Sequence, residues 1–210
     1  MIEEIGPHRV RCGDVTDGLA DLMRDGKADL TWVDPPWGRG ALRMFETLNH
    51  RQTGEQRQPI PFGQFMARLF EEIVQWTDGY VVIEYGITWR EDLQREAHRY
   101  GLYSHGRAEA QYRTGGTHRP YDVHIFATDR RIVNDLLIRE VKNKAGYRAV
   151  EPFGRVLRPG MTVLDPCCGF GLAARLAVEN DCVFRGNELN AVRLGRAKRI
   201  LESAVSPQSA

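Results

Sequence analysis

Asp34-Pro35-Pro36-Trp37 is the stretch of the sequence whose residue types are best suited to chemistry. It ends the apolar run 28–33, whose β-branched and aromatic residues predict a buried strand that the two prolines terminate. In open α/β sheets, ligands bind at the carboxyl ends of the strands, so Asp34 is expected at that edge. A carboxylate, proline-fixed carbonyls and an indole can together hold a planar group that carries an exocyclic NH2. For this stretch alone, an ordinary strand-ending turn is the alternative.

A second informative stretch is Asp165-Pro166-Cys167-Cys168-Gly169-Phe170-Gly171, which follows an apolar run and precedes a predicted helix, 172–180. A strand, a glycine-rich turn and a helix in this order are typical of the first half of a nucleotide-binding βαβ unit. The turn has one acidic residue and no lysine, so it suits a neutral or zwitterionic group better than a pyrophosphate. The next strand ends at Asn187-Glu188, and an acidic residue there is expected to hold a ribose diol.

The elements that must position these residues alternate as in an α/β domain. A strand ending at Gly13-Asp14, a helical period over 19–24 and the strand before Asp34 predict a βαβ unit, which puts Asp14 and Asp34 at the same sheet edge. Strands at 104–113 and 121–128, joined by a glycine-rich link, predict an antiparallel hairpin. Helices are predicted over 62–76, 89–100, 132–141, 151–157, 172–180 and 191–201.

Length and charge limit the class of protein. The chain has 210 residues, with 29 Lys and Arg against 28 Asp and Glu, which fits one domain with a sizeable core and no strong overall field. Any affinity for nucleic acid must therefore come from local patches. The start, Met1–Pro7, has no apolar signal region and no stretch reaches the length of a membrane span, which predicts a cytoplasmic protein without membrane contacts. The four cysteines lack C-x-x-C spacing, so we expect reduced thiols and no metal site.

Two local patches are basic. The polar stretch 38–61 is predicted to be a mobile loop, either a lid over a phosphate-bearing substrate or a solvated insertion without a role. The hairpin carries basic side chains beside Tyr112 and Tyr121, which either contact bases or guard an edge strand against aggregation. The arginines expected to contact nucleic acid are Arg39, Arg43, Arg51, Arg57, Arg107, Arg113 and Arg119.

The two motifs together resemble those of a known family. Asp34-Pro35-Pro36-Trp37 resembles the catalytic motif of S-adenosylmethionine-dependent amino-methyltransferases that act on adenine N6 or cytosine N4. Residues 165–171 resemble their cofactor loop, D-P-F-x-G-x-G, with Cys167 in place of the phenylalanine. The catalytic motif precedes the cofactor loop, as in the permuted β-class DNA methyltransferases.

The resemblance implies the following fold. The chain is expected to form a single α/β, Rossmann-like methyltransferase domain over 1–203, with a mostly parallel seven-stranded sheet, an antiparallel hairpin and a circularly permuted motif order. It divides into a catalytic half, 1–128, and a linker and cofactor half, 129–203. A disordered tail, 204–210, follows.

The resemblance also implies roles for individual residues. The expected catalytic residues are Asp34, Pro35, Pro36 and Trp37, and Trp37 is expected to stack on a flipped-out or single-stranded base. The cofactor, S-adenosylmethionine, is expected to contact Asp14, Asp34, Asp165, Pro166, Cys167, Gly169, Gly171, Glu188 and Leu189. Aspartate at the first motif position favours adenine N6 as the target. The alternatives are cytosine N4, an RNA base, or an inactive nucleic-acid-binding partner subunit.

The sequence departs from the family pattern in two ways. It has no separate target-recognition region, so only 38–61 and 104–128 could serve. The missing phenylalanine means that Phe170 or the turn near Lys144 must pack against the methionine moiety. With few phosphate contacts, binding to DNA is expected to be weak, and single-stranded or locally opened DNA should compete well unless a homodimer adds contacts.

Overall fold

Runs rich in Val, Ile and aromatic residues pair into one mixed sheet of eight strands. The structure is a computed structural model that describes residues 2–24, 26–129 and 135–206. The strands are β1 (Ile2–Ile5), β2 (His8–Cys12), β3 (Ala28–Val33), β4 (Thr77–Tyr85), β5 (Tyr103–Thr114), β6 (Thr117–Ala127), β7 (Thr162–Asp165) and β8 (Val183–Glu188). Their spatial order is β1-β2-β8-β7-β3-β4-β6-β5.

The centre of the sheet is parallel. Strands β2, β8, β7, β3 and β4 all run in one direction, whereas β1, β6 and β5 pair antiparallel. The carboxyl ends of five strands therefore meet at one edge, which confirms that Asp14 and Asp34 share it. The predicted hairpin is formed by β5 and β6.

Seven helices in the described part of the chain cover the two faces of this sheet. They are α1 (Arg39–Thr53), α2 (Phe62–Trp76), α3 (Arg90–Arg99), α4 (Asp135–Val141), α5 (Tyr147–Val150), α6 (Leu172–Glu179) and α7 (Ala191–Val205). Alternate residues of β3 point to opposite faces, so Trp32 belongs to one hydrophobic cluster and Val33 to the other. None of these helices combines the length and the apolar character that a membrane span would need.

The structure corrects four expectations about these elements. The sheet has eight strands rather than seven, because Ile2–Ile5 turns back at Gly6 and pairs with β2. The segment 19–24 makes a single turn instead of a helix, closed by the N–H of Met23 donating to the carbonyl of Leu19 at 2.9 Å. Glycines with positive φ at 18 and 26 flank this segment, and the crossover between them is too short for a longer helix.

The predicted loop at 38–61 is largely helix α1. Gly38 precedes the helix and Gly54, with φ of 75°, ends it by donating its N–H to the carbonyl of His50. Between them Leu42 is buried, and Phe45 and Leu48 are half-buried one and two turns later. This apolar spacing is helical, but the polar residues around it obscured the pattern.

The carboxyl-terminal end also differs from the prediction. The tail was expected to begin at 204, whereas α7 continues to Val205, which packs against the turn at Gly6. Residues 207–210 lie outside the described residues. The start of the helix predicted over 132–141 also lies outside the described residues. The structure describes this helix, α4, from residue 135 onward.

Gly171 is expected to be essential for the packing of α6 on α7. It has φ of 83°, and a Cβ there would lie 2.7 Å from the Cα of Ala197. Gly171→Ala should lower the free energy of unfolding by about 2 to 4 kcal/mol, because it adds backbone strain to a steric clash. Urea unfolding measures this.

The matched control for that variant is Gly160→Ala. Gly160 has φ of 85°, but no heavy atom lies within 4 Å of the position that a Cβ would take, so only the backbone strain remains. Its loss should be about 1 to 2 kcal/mol. Equal losses for the two variants would contradict the packing role of Gly171.

Candidate active site

The carboxyl edge of the parallel strands opens into a cavity of about 330 Å³, within the usual size range of small-ligand sites. Its floor comes from the loops after β3, β7 and β8. Helix α1 and the segment 54–60 form the opposite wall. Of the residues predicted to act here, those that line the cavity are Asp14, Asp34, Pro36, Arg57, Pro166, Cys167, Gly169, Glu188 and Leu189.

Asp34 lies where β3 ends, and its side chain is exposed to the cavity. The indole Nε1 of Trp37 donates a hydrogen bond to its Oδ1 at 3.0 Å. Desolvation by the surrounding walls raises the pKa of Asp34 to about 6, although the Trp37 bond and the Arg193 guanidinium oppose this rise. Near neutral pH the carboxyl is therefore mostly ionised, with Oδ2 available as an acceptor.

Trp37 does not line the cavity but is fixed beside it by aromatic packing. Its ring stacks on Tyr121, with centroids 5.6 Å apart and planes at 24°, and Tyr112 meets it edge-on at 5.4 Å. Its Nε1 also donates to the carbonyl of Glu84 at 3.2 Å. These contacts hold the indole in one orientation relative to Asp34.

Glu84 is a site residue that lies outside both sequence motifs. It stands near the carboxyl end of β4, is buried, and accepts a hydrogen bond from Tyr121. Burial raises the pKa of Glu84 well above its usual value, and the charges of Asp34 and Asp165 add to the effect. A lone charged residue in the otherwise apolar run 80–85 was a signal for it.

The cofactor-like loop is tied together by two carboxylates. Asp165 is buried beneath the loop, where its Oδ1 accepts the N–H of Cys167 at 3.1 Å, and it does not line the cavity. Burial raises the pKa of Asp165 well above normal, despite that bond. Glu188 accepts the N–H of Gly169 at 2.8 Å and the N–H of Asn190 at 3.0 Å. Each of its oxygens retains a lone pair for a ligand.

Two further predicted residues lie away from the cavity lining. Pro35 is buried behind the strand end. Gly171 packs against α7, as described above, so its contribution to any ligand is indirect. Cys167 lines the cavity, and burial raises the pKa of its thiol well above normal, which keeps it neutral.

Arg57, which was predicted to contact nucleic acid, lies at the cavity beside acidic residues. Its guanidinium lies 3.6 Å from Asp14 and 3.9 Å from Asp17, so this exposed residue pairs with acidic residues at the cavity. Asp14 itself accepts hydrogen bonds from the N–H and hydroxyl of Thr16. The wall formed by α1 is also bonded to the floor, because Asn190 donates to Gln52 at 2.9 Å.

The other six arginines are all exposed. Arg107 pairs with Asp122, which is fully buried and also binds Arg90. Within the described residues, the remaining five form no ion pair, and they lie on α1 or near the hairpin tip: Arg39, Arg43, Arg51, Arg113 and Arg119.

The charge of the cavity wall indicates which ligands it suits. Five carboxylates line it, those of Asp14, Asp34, Glu46, Glu55 and Glu188, against the guanidiniums of Arg57 and Arg193. An excess of carboxylates favours a ligand that carries positive charge and disfavours a polyphosphate.

Comparison with solved structures identifies proteins of the same fold. A protein of Thermus thermophilus, TTHA0409, provisionally named a DNA modification methylase, superposes with a TM-score of 0.65 at 16% identity, covering 96% of this chain and 97% of that one. It has also been solved with S-adenosyl-L-methionine. The M1.HpyAVI–SAM complex matches with a TM-score of 0.64 at 14% identity, covering 91% and 98%.

A third similar structure is the cytosine-N4-specific PvuII DNA methyltransferase, with a TM-score of 0.61 at 11% identity, covering 95% of this chain and 93% of that one. No protein-family model matches the chain, and no curated protein is significantly similar to it in sequence. At these identities, the superpositions show that the chain has the α/β fold of these three proteins as a single domain.

The hydrogen bond from Trp37 to Asp34 leads to a prediction. Trp37→Phe keeps an aromatic ring but removes the donor that stabilises the ionised carboxyl, so the pKa of Asp34 should rise by roughly half a unit to one unit. Carbon-13 NMR of the Asp34 carboxyl over a pH titration measures it.

Trp76→Phe is the control, because the Trp76 indole donates to a different carboxylate, that of Glu72, at 3.0 Å. It should leave Asp34 unchanged. An unaltered Asp34 pKa in Trp37→Phe would show that the bond has no electrostatic effect on the site.

Proposed function

We propose that this protein transfers a methyl group from S-adenosylmethionine to the exocyclic amine of a DNA base, with adenine N6 as the preferred target. The observation that carries the proposal is the position of Asp34. Its carboxylate, with one oxygen held by Trp37, opens into the same acidic cavity as the glycine-rich loop after β7. The fold shared with structures named as DNA methylases supports the same function.

The cavity residues fit the proposed cofactor. Glu188 has free lone pairs for ribose hydroxyls, Asp14 lines the cavity and is the proposed contact of the cofactor adenine, and Gly169 allows close approach to the loop backbone. The excess of carboxylates suits a ligand whose sulfonium and ammonium groups are positive. S-adenosylmethionine would supply a methyl group activated by its bond to a positively charged sulfur.

Asp34 supplies what the acceptor amine needs. The lone pair of an exocyclic amine is delocalised into the base, so the amine is a weak nucleophile until its N–H bonds are held by acceptors. Oδ2 of Asp34, which opens into the cavity, is the first acceptor proposed here. The carbonyl of the next residue, Pro35, is the proposed second acceptor, although Pro35 does not line the cavity. As positive charge develops on the amine nitrogen, the ionised Asp34 stabilises the transition state more than the ground state.

Glu84 supports the aromatic residues beside the site. Burial raises the pKa of Glu84 well above normal, and the charges of Asp34 and Asp165 add to this rise. Its hydrogen bond with Tyr121 holds the ring that stacks on Trp37.

The target base must be accessible. In a duplex the exocyclic amine is paired, so the base is flipped out or single-stranded when it reacts, and Trp37 is the proposed stacking partner. Exposed arginines on α1 and the hairpin are the proposed phosphate contacts, and single-stranded or locally opened DNA is the preferred substrate unless two copies of the chain bind together. Cytosine N4 is the second candidate target, favoured by the likeness to the PvuII enzyme.

Removal of the Asp34 carboxylate tests the proposal. Asp34→Ala should lower kcat for methyl transfer by at least about 10²- to 10³-fold, the usual effect of removing one preorganised electrostatic contact, and leave the urea midpoint nearly unchanged. The assay incubates the protein with DNA and methyl-labelled S-adenosylmethionine, then identifies the methylated nucleoside by mass spectrometry.

Asp78→Ala is the matched control, an exposed aspartate on β4 at the opposite end of the sheet. It should retain the wild-type rate. Near-normal turnover by Asp34→Ala would show that the assignment of Asp34 is wrong, and N4-methylcytosine in place of N6-methyladenine would shift the target to the second candidate.

Glu188 tests the cofactor assignment separately. Glu188→Gln replaces one acceptor oxygen with a donor, so one of the bonds to Gly169 and Asn190 and a ligand acceptor are lost. The affinity for S-adenosylmethionine should fall by about 1 to 3 kcal/mol in calorimetry. Glu202→Gln, at an exposed position of α7, is the control, and unchanged binding by Glu188→Gln would place the ribose elsewhere.

A further inference from the structure

Trp89 stands out among the four tryptophans, all of which lie in the described part of the chain. Trp32 is buried, Trp37 and Trp76 are half-buried, and Trp89 has 46% of its surface exposed. A single exposed apolar residue is common and is not evidence of a function by itself. Its position in the fold therefore has to decide whether it has a role.

That position is beside the catalytic motif. Trp89 ends the short 3-10 turn that follows β4, at the same sheet edge as Asp34. A Cβ added to Gly38 would lie 3.4 Å from the indole Nε1 of Trp89. A Cβ added to Gly86, at the start of the same turn, would lie 3.4 Å from the ring of Trp37. The turn thus packs directly against Trp37 and the residue after it.

The turn is also held firmly. The N–H of Trp89 donates to the carbonyl of Gly86 at 3.0 Å. The next residue, Arg90, binds both carboxylate oxygens of the fully buried Asp122, at 2.8 and 3.3 Å. A bidentate bond of this kind holds Arg90, and with it the end of the turn that carries Trp89, in place.

Three arginines belong to the segments next to this turn. Arg39 follows Gly38 and is exposed, Arg90 follows Trp89, and Arg107 shares Asp122 with Arg90; the side chains of Arg90 and Arg107 remain 29% and 38% exposed. An aromatic side chain on a segment that also carries arginines suits stacking on a nucleobase, with the arginines available to the backbone phosphates.

We propose that Trp89 stacks on a nucleotide next to the methylated base and so positions the DNA strand. This inference rests on the proposed function. When the target base leaves the helix, its neighbour loses a stacking partner, and the Trp89 indole replaces it. Trp89 is a positioning residue, since it acts on the flanking nucleotide and not on the reacting atoms.

The test compares Trp89→Ala and Trp89→Phe with the wild type, using a single-stranded oligonucleotide and its duplex. Trp89→Ala should raise the KM for DNA roughly 5- to 150-fold, the range expected for loss of one base-aromatic stack. The kcat at saturating DNA and the Kd for S-adenosylmethionine should stay at wild-type values. Trp89→Phe, which retains a ring, should recover most of the affinity.

Tyr103→Ala is the control, because Tyr103 is 41% exposed at the opposite end of the sheet and should leave the KM for DNA unchanged. If Trp89→Ala unfolds at lower urea than the wild type, Trp89→Leu takes its place, since it keeps apolar volume without a ring.

The outcomes separate the two proposals. If the wild type methylates DNA and Trp89→Ala has the same KM, the stacking role is wrong and the proposed function stands. If Trp89→Phe is as impaired as Trp89→Ala, the effect is not stacking and the inference is overturned. If the wild type transfers no methyl group to DNA, the proposed function fails and the inference fails with it.

Discussion

Parallel pairing of five central strands is the constraint on which the site depends. It brings the carboxyl ends of β3, β4, β7 and β8 together, and each of these ends carries an acidic residue: Asp34, Glu84, Asp165 and Glu188. Desolvation raises the pKa values of Asp34, Glu84 and Asp165, and the like charges of neighbouring carboxylates add to the rise. The two hydrophobic clusters on the sheet faces offset this cost, and the result is a cavity that attracts positive charge.

The carboxylates at this edge fall into two groups with different surroundings. Glu84 and Asp165 are buried and bonded to protein groups, so they support the aromatic cluster and the glycine-rich loop. Asp34 faces the cavity and ionises near pH 6. Helix α1 covers the site although only Leu42 and Asn49 of that helix are buried, because polar contacts such as Asn190 to Gln52 tie it to the floor. A single sheet edge thus carries buried carboxyls that support the structure and one that faces the cavity.

Local sequence signals were sufficient for some parts of this arrangement. Asp34 and Glu188 follow apolar runs ended by proline or a polar pair, and such strand ends can be recognised from neighbouring residues. A lone charge in an apolar run marks Glu84, but the roles of Glu84 and Arg57 depend on partners distant in the chain, Tyr121 and Asp14. Helix α1 was missed because its narrow apolar stripe lies among arginines and glycines. These features depend on contacts between residues that are distant in the chain, and the local sequence pattern does not contain that information.

The central claim is that Asp34 shares its cavity with the methyl donor, and the pKa of Asp34 reports this directly. Carbon-13 NMR titration of its carboxyl should be repeated with saturating S-adenosylmethionine and with S-adenosylhomocysteine, whose sulfur is neutral. A positive charge in the cavity favours the ionised carboxylate, so S-adenosylmethionine should lower the pKa below its value of about 6 by more than S-adenosylhomocysteine does. Equal pKa values with both ligands would contradict the account, because the sulfonium would then lie too far from Asp34 for methyl transfer at this site.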